Sequence, residues 1–454
     1  MYDFIVVGGG IAGLASAELL QRSGRSVLLV EAGPQLCLGA SAQAQGWFHT
    51  GALYAALPSA RFFRQLAGNL DDLLNYYAGF PGMNLRSGRQ LVTRGDLGWF
   101  ANRTNYYAYV APSDPGVSAW MNLPWRLATL QARSRLSWFE TLDFTRELSP
   151  QFGQLTLSAN LRRPQAKRRF GFDLGSAPLW LASRDRTMRA RLLAEELAGS
   201  FLAHGGRIEL DNPVQHAGGG LVETARGSRL ARNVIVSAGR ATAGLSRTEV
   251  KVVQSPMLVV HPALSDVNFV KMSPDMGSTF NHLFHETEAG SYSLIGNAVY
   301  LPNGESVDAA ALEEKLRRQA GAIFRTDMAG HRSALYLGDK TELVGQRQLR
   351  NYQYQIVDEG ERVVLLPGKF SLCFSLAVNV CRHFGIDPAA ELRHFAPVAA
   401  SDLVARPMHE RLFLGLREPD DSVVEPPPPI AFERGRLRRG ASPASARHAR
   451  PRPR

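Results

Sequence analysis

Gly8, Gly10 and Gly13 are spaced as G-x-G-x-x-G, and an acidic residue, Glu31, follows the last of them by eighteen positions. Together they can do the chemistry of dinucleotide recognition, and each glycine has its own task. Gly8 permits a tight turn out of a strand, Gly10 lets backbone come close to a pyrophosphate, and Gly13 lets the next helix pack hard against the strand. The N–H groups and positive dipole end of that helix suit phosphates. A carboxylate at Glu31 is placed to accept hydrogen bonds from an adenosine ribose.

The elements that must position this set are all present, in order. Phe4-Ile5-Val6-Val7 is a continuous apolar run rich in β-branched residues, the pattern of a parallel strand covered on both faces. A helical stretch runs from Leu14 to about Arg22, with Ala17 as a further small residue facing the sheet and Gly24 ending the helix. Val27-Leu28-Leu29-Val30 then forms a second strand that delivers Glu31 at its end. A lone glycine motif says little, but this sequence of strand, glycines, helix, strand and acid describes a βαβ dinucleotide site. By itself it does not separate NAD from FAD.

The 454 residues, 45% apolar and 20% charged, suit a globular protein of two or three domains. No apolar run is long enough to span a bilayer, and no signal-peptide pattern opens the chain, so a cytoplasmic location is expected. Cys37, Cys373 and Cys381 form no C-x-x-C pair, and no metal-ligand spacing is apparent. The net charge of +11 is concentrated at one end. Eight arginines and no acid lie between Arg434 and Arg454, leaving about +3 for the rest of the chain. This tail follows Pro426–Pro429 and cannot build a core. It reads as a disordered extension or, alternatively, as a tether to anionic lipid, giving peripheral membrane contact, or to nucleic acid, with no specific nucleic-acid partner expected.

Three further segments carry a resemblance. The first, Gly39-Ala40-Ser41-Ala42-Gln43-Ala44-Gln45-Gly46-Trp47-Phe48-His49-Thr50-Gly51, is a run of small residues leading into a His-x-Gly turn. The second, Val234-Ile235-Val236-Ser237-Ala238-Gly239, is an apolar strand followed by a small-residue turn. The third, Val363-Val364-Leu365-Leu366-Pro367-Gly368-Lys369-Phe370-Ser371, is a strand, a Gly-Lys turn and the start of a helix running to about His383. In this order they resemble the FAD-dependent oxidoreductases related to D-amino-acid oxidase, glycine oxidase, L-2-hydroxyglutarate oxidase and flavin-linked glycerol-3-phosphate dehydrogenase. Where that family often carries a Ser/Arg/Asn cluster, this chain has Gln43-Ala44-Gln45, so its polar contacts there are expected to differ.

The resemblance implies an α/β fold. A Rossmann-like FAD-binding domain, a parallel sheet with helices, is assembled from discontinuous segments 1–84, 186–246 and 341–416. An α+β substrate domain with an antiparallel sheet comes from 85–185 and 247–340, and 417–454 is the Pro/Arg-rich tail. FAD is expected to bind non-covalently. The implied cofactor contacts are Gly8, Gly10, Ile11, Ala12, Gly13, Glu31, Ala32, Gly39, Ala40, Ser41, Gly46, Trp47, His49, Ala238, Gly239, Gly368, Lys369, Phe370 and Ser371. The helix after Ser371 directs its positive end at the flavin pyrimidine, and Lys369 either adds to that charge or is a solvent-exposed turn lysine.

No second G-x-G-x-x-G occurs, and Gly338-Asp339 leads into Lys340-Thr341-Glu342 without the continuation seen in aromatic-ring hydroxylases. Electrons are therefore expected from an organic substrate, and the resemblance implies hydride transfer to flavin N5 from a C–H next to an amine or hydroxyl. The expected substrate is a small anion, an amino acid or 2-hydroxy acid, held by a buried arginine. The resemblance implies Arg347 in that role, with Arg350 as its competitor, and Tyr352 or Tyr354 offers a hydroxyl. His49 is the acid/base candidate, because an imidazole titrates near neutrality; its alternative is a histidine that only packs on the flavin. His282 and His285 would face opposite sides of one strand, and both equally suit a surface. The electron acceptor is oxygen or a quinone. A quinone-linked membrane-associated dehydrogenase, and a flavoprotein whose FAD is structural or sensory, are the competing readings.

Overall fold

The computed structural model describes residues 1–49, 51–56, 185–274, 276–302, 307–343, 351–388 and 397–417, with shorter pieces between them, chiefly 68–77, 105–110, 123–135 and 179–183. Arg347, Arg350, most of the 85–185 segment and all of 418–454 lie outside the described residues.

Alternation along the first strands builds the first layer. In Tyr2–Val7, Phe4 and Val6 face one way and join a core with three helices, Ile11–Arg22, Ala190–Ala203 and Cys373–His383. Ile5 and Val7 face the other way and pack with Leu28, Val30, Ala217 and Val222. Each such burial contributes about 1.5–3 kcal/mol, which is why an uninterrupted apolar strand is stable only when both faces are covered. The resulting eight-stranded sheet runs Val214–Gly218, Leu221–Thr224, Gly227–Val236, Tyr2–Val7, Val27–Val30, Arg207–Glu209; Val363–Leu366 also pairs with Gly227–Val236, and Gln355–Asp358 pairs with Val363–Leu366. The pairs around Tyr2–Val7 are parallel, as the fingerprint requires. All twelve residues of the fingerprint helix are buried, and it starts at Ile11, directly after Gly10, three residues before the expected Leu14.

The second layer is a mostly antiparallel sheet of eight strands. Its longest pairing joins Lys251–His261 to Arg332–Glu342, and its far side brings in Asn105–Tyr109 and Leu179–Ser183. Alternation works here too. Leu258 and Val260 face the helix Ala309–Phe324, which Asp308 caps by accepting a hydrogen bond from Ala311 N at 2.9 Å. Met257 and Val259 face Phe413 of the helix Met408–Leu416. That last helix, grouped by sequence with the cofactor-binding segments, thus packs on the second sheet, while Met408 N donates to Ala42 O at 2.7 Å in the loop after Glu31.

A two-stranded antiparallel ladder, Trp47–Phe48 with Arg186–Thr187, lies between these layers. Trp47 opposes Thr187 and Phe48 opposes Arg186. Among the described residues no helix is long and apolar enough to cross a membrane, and no cluster of metal-ligating side chains forms.

Candidate active site

The strand ends converge on one trough. At Gly8 the backbone turns with φ +105°, and a Cβ there would meet Ser237 O at 2.4 Å. A Cβ at Gly13 would lie 2.0 Å from Gly8 O. These two glycines therefore allow helix, turn and the Ser237-Ala238 segment to meet without side chains between them. Glu31 braces the same turn: its Oε2 accepts from Gly9 N at 2.6 Å and its Oε1 from Gly33 N at 2.8 Å. Each oxygen keeps a further lone pair for another donor. The hydroxyl of Ser41 accepts from Ile11 N at 2.9 Å and so ties the 39–45 loop to the start of the helix.

A cavity of ≈ 430 Å³ opens at this edge, within the range of cofactor and small-ligand sites. It is lined by Gly8, Gly10, Ile11, Ala12, Glu31, Ala32, Gly39, Ala40, Ser41, Ala238 and Gly239 among others. A second cavity of ≈ 160 Å³ adjoins it, sharing Ile11, Ala40, Ser41, Gln43, Asp339, Thr341 and Pro367, and adds Gly46, Trp47, His49, Gly368, Lys369 and Phe370. Two expected contacts do not line either cavity. Gly13 sits behind Gly8, and Ser371 is buried with its hydroxyl accepting from His49 N at 3.3 Å.

Residues to which the sequence assigned no binding role close the second cavity. Met257, Asp339, Lys340 and Thr341 come from the second sheet. Gln43 and Gln45, where polar contacts were expected to differ, reach across to that sheet: Gln43 Oε1 accepts from Asp339 N at 2.7 Å, and Gln45 Nε2 donates to Asn281 Oδ1 at 3.2 Å. Lys340 Nζ donates to Ser255 Oγ at 2.7 Å. The two glutamine contacts tie the 39–45 loop to the second sheet at the trough, while the Lys340–Ser255 bond lies within that sheet.

His49 is buried in the wall of the smaller cavity. Its Nδ1 lies 3.0 Å from Asp185 Oδ2, its ring stacks on Trp47, and Tyr54 meets it edge-on at 5.2 Å. Burial holds the imidazole below its ordinary pKa, the Asp185 hydrogen bond and charge oppose that shift, and the Lys369 ammonium reinforces it. Lys369 is no solvent-exposed turn residue: its Nζ sits 4.6 Å from the Tyr54 ring centre and 4.5 Å from that of Tyr352. Tyr352 packs against Tyr54, which in turn meets His49, and its hydroxyl donates to the Tyr300 hydroxyl at 3.3 Å.

The surface reading of His282 and His285 is corrected, since both are buried. His282 bridges Val267 O (2.8 Å) and Ser293 Oγ (2.7 Å), while His285 stacks on Tyr292 and lies 4.6 Å, ring centre to ring centre, from His409. Desolvation pushes both histidines down to about 4.

Comparison with known proteins gives the same architecture. A family profile described as FAD dependent oxidoreductase (DAO) matches residues 3–368. Among solved structures, an FAD-dependent oxidoreductase from Pseudomonas aeruginosa is similar at 18% identity and TM-score 0.57, covering 91% of this chain and 98% of that one. Glycine oxidase from Geobacillus kaustophilus is similar at 14% identity and TM-score 0.60, covering 87% and 99%. L-α-glycerophosphate oxidase from Mycoplasma pneumoniae, solved with FAD bound, is similar at 13% identity and TM-score 0.58, covering 88% and 97%. Likeness at these identities establishes a shared fold. Among curated proteins no relative matches the sequence.

Proposed function

Because this chain belongs to the DAO family of FAD-dependent oxidoreductases, we propose that it oxidises a C–H bond next to the amine or hydroxyl of a small anionic substrate, an amino acid or 2-hydroxy acid. In this reading, segments 1–84, 186–246 and 341–416 form the FAD-binding domain, and 85–185 with 247–340 the substrate domain. The observation that supports it is the buried His49 in the wall of the smaller cavity, continuous with the fingerprint cavity and closed by the second sheet.

The residues present fit the cofactor. Gly8 and Gly13 leave no room for side chains at the turn, and the helix at Ile11 presents its amide end to the larger cavity, where phosphates are stabilised. The Glu31 carboxylate lies in the same wall to accept ribose hydroxyls. When bound, FAD supplies the two-electron acceptor. His49, held neutral by burial, receives the proton released from the substrate O–H or N–H. Lys369 contributes positive charge at the cavity wall. Arg347, with Arg350 as its competitor, would hold the substrate carboxylate. Trp47 and Met257 exclude water from the wall that they share with His49.

The test is anaerobic. The purified protein is mixed with amino acids, 2-hydroxy acids and glycerol 3-phosphate, and its absorbance is followed near ~450 nm, where oxidised flavin absorbs. Bleaching by an amino acid or hydroxy acid supports the reading, and readmitted oxygen or a quinone then identifies the acceptor. A yellow protein that none of them bleaches refutes it and favours a structural or sensory FAD.

A further inference from the structure

We propose that Asp185 is the positioning residue for His49, holding its imidazole in the tautomer with hydrogen on Nδ1 and so reserving the Nε2 lone pair for the substrate's proton. This rests on His49 being the proton acceptor of the proposed reaction.

The juxtaposition is made by backbone pairing. In the antiparallel ladder Trp47 faces Thr187 and Phe48 faces Arg186, so the next position in register places His49 opposite Asp185. The pair is then fixed at 3.0 Å, Nδ1 to Oδ2. The main chain of Asp185 is anchored separately, its carbonyl accepting from Asn105 Nδ2 at 2.6 Å and Arg186 Nη1 at 3.0 Å. Its carboxylate is therefore not needed to hold the strand in place.

A fully buried carboxylate must be compensated by donors. The Tyr107 hydroxyl donates to the same Oδ2 that faces His49. An ionised carboxylate only accepts hydrogen bonds, so the nitrogen facing it must carry the hydrogen, and in a neutral ring the other nitrogen is the acceptor. The charged and titratable groups around the pair are Lys369 and Tyr54 on the His49 side, and Arg186, Tyr107 and Tyr109 on the Asp185 side. In the reaction, the substrate O–H or N–H bond breaks and an Nε2–H bond forms. The substrate C–H bond would break with its hydrogen and both electrons leaving together as hydride, for which bound FAD would be the acceptor. The imidazolium so produced is stabilised by the adjacent Asp185 charge, the logic by which a carboxylate orients and supports a catalytic histidine in hydrolase triads.

The test uses the FAD-loaded full chain labelled with ¹⁵N at histidine. Two-bond ¹⁵N–¹H correlation spectra at pH 8 report each tautomer, and loss of signals in His49→Gln assigns this ring. The expected wild-type result is hydrogen on Nδ1; hydrogen on Nε2 overturns the proposal. In Asp185→Asn the His49 protonation midpoint should fall by about one to three pH units. Flavin reduction by whichever acid bleaches the wild type should slow on the order of 100-fold or more. Tyr107→Phe leaves the charge in place with one donor fewer, so the midpoint should rise. If both variants keep the wild-type midpoint and rate, Asp185 has no positioning role, while oxidation of that acid by the wild type still stands. If no candidate substrate bleaches the wild type, the proposed reaction fails, and the tautomer spectrum still decides the pair.

Discussion

Replacing Gly13 by alanine tests whether cofactor binding depends on the helix lying hard against the glycine turn. The new Cβ would sit 2.0 Å from Gly8 O, where a carbon–oxygen contact needs about 3.3 Å. More than an ångström must open, and neither side is a flexible side-chain end. Gly8 is held at φ +105° with its amide donating to Val30 O at 2.8 Å. The helix has all twelve residues buried, so it cannot move without disturbing its whole contact surface. Overpacking of this kind costs about 1–3 kcal/mol. If the helix start moves out of place for the phosphates, the same energy raises the FAD dissociation constant roughly 5- to 150-fold. Urea melts of the apoprotein and fluorescence titration with FAD measure the two effects. Gly415→Ala is the control: it lies in the helix Met408–Leu416 with nothing within 4 Å of its added Cβ, so it should stabilise by about 0.5–1 kcal/mol and leave FAD binding alone. A Gly13→Ala protein with wild-type melting and wild-type FAD affinity would refute the argument.

Other consequences are open to direct measurement. His282 and His285 have pKa values near 4 in the fold against 6.5 when unfolded. The unfolded chain therefore takes up protons first, and stability present above pH 6.5 is lost as the pH falls towards 4. Urea midpoints at pH 7 and pH 5 should show this loss, and His285→Gln should show less of it; a flat profile in the wild type would contradict it. Burial pushes the Cys37 and Cys381 thiols up to about 12 and Cys373 higher still. A thiol reagent at pH 8 should therefore find no reactive cysteine in the native protein and all three after denaturation. Lys369→Met removes a cation from the wall of the smaller cavity, so the midpoint potential of bound flavin, measured by dye equilibration, should fall. An unchanged potential would place the ammonium away from the ring.

Much of the cofactor end was legible because its signals are local. Gly8, Gly13 and Glu31 act within one βαβ unit, and the alternation in Phe4–Val7 assigns side chains to faces without knowledge of the partner strands. Asp185 was illegible for the opposite reason. Nothing around it forms a motif, and its meeting with His49 is set by a ladder across 136 positions of sequence. His282 and His285 show an intermediate case. Their odd spacing does put them on opposite sides of a strand, but both sides are covered, one by the Ala309–Phe324 layer and the other by His409 and Tyr292. Periodicity assigns a side chain to a face and is silent on what lies against it.

The place of Val363–Leu366 in the first sheet also governs how the protein can be made. Tyr2–Val7 leaves the ribosome first, yet its neighbour Gly227–Val236 and that strand's partner Val363–Leu366 follow far later. At synthesis rates of about 5–20 residues per second, the last of them arrives roughly 20–70 s after the first. The first two strands pair with each other, but their outer edges have no neighbour until Arg207–Glu209 and Gly227–Val236 emerge, and the far edge of Gly227–Val236 waits for Val363–Leu366. The sheet is complete only when Val363–Leu366 joins it, so capture of FAD by the assembled sheet belongs to late synthesis or to the time after release.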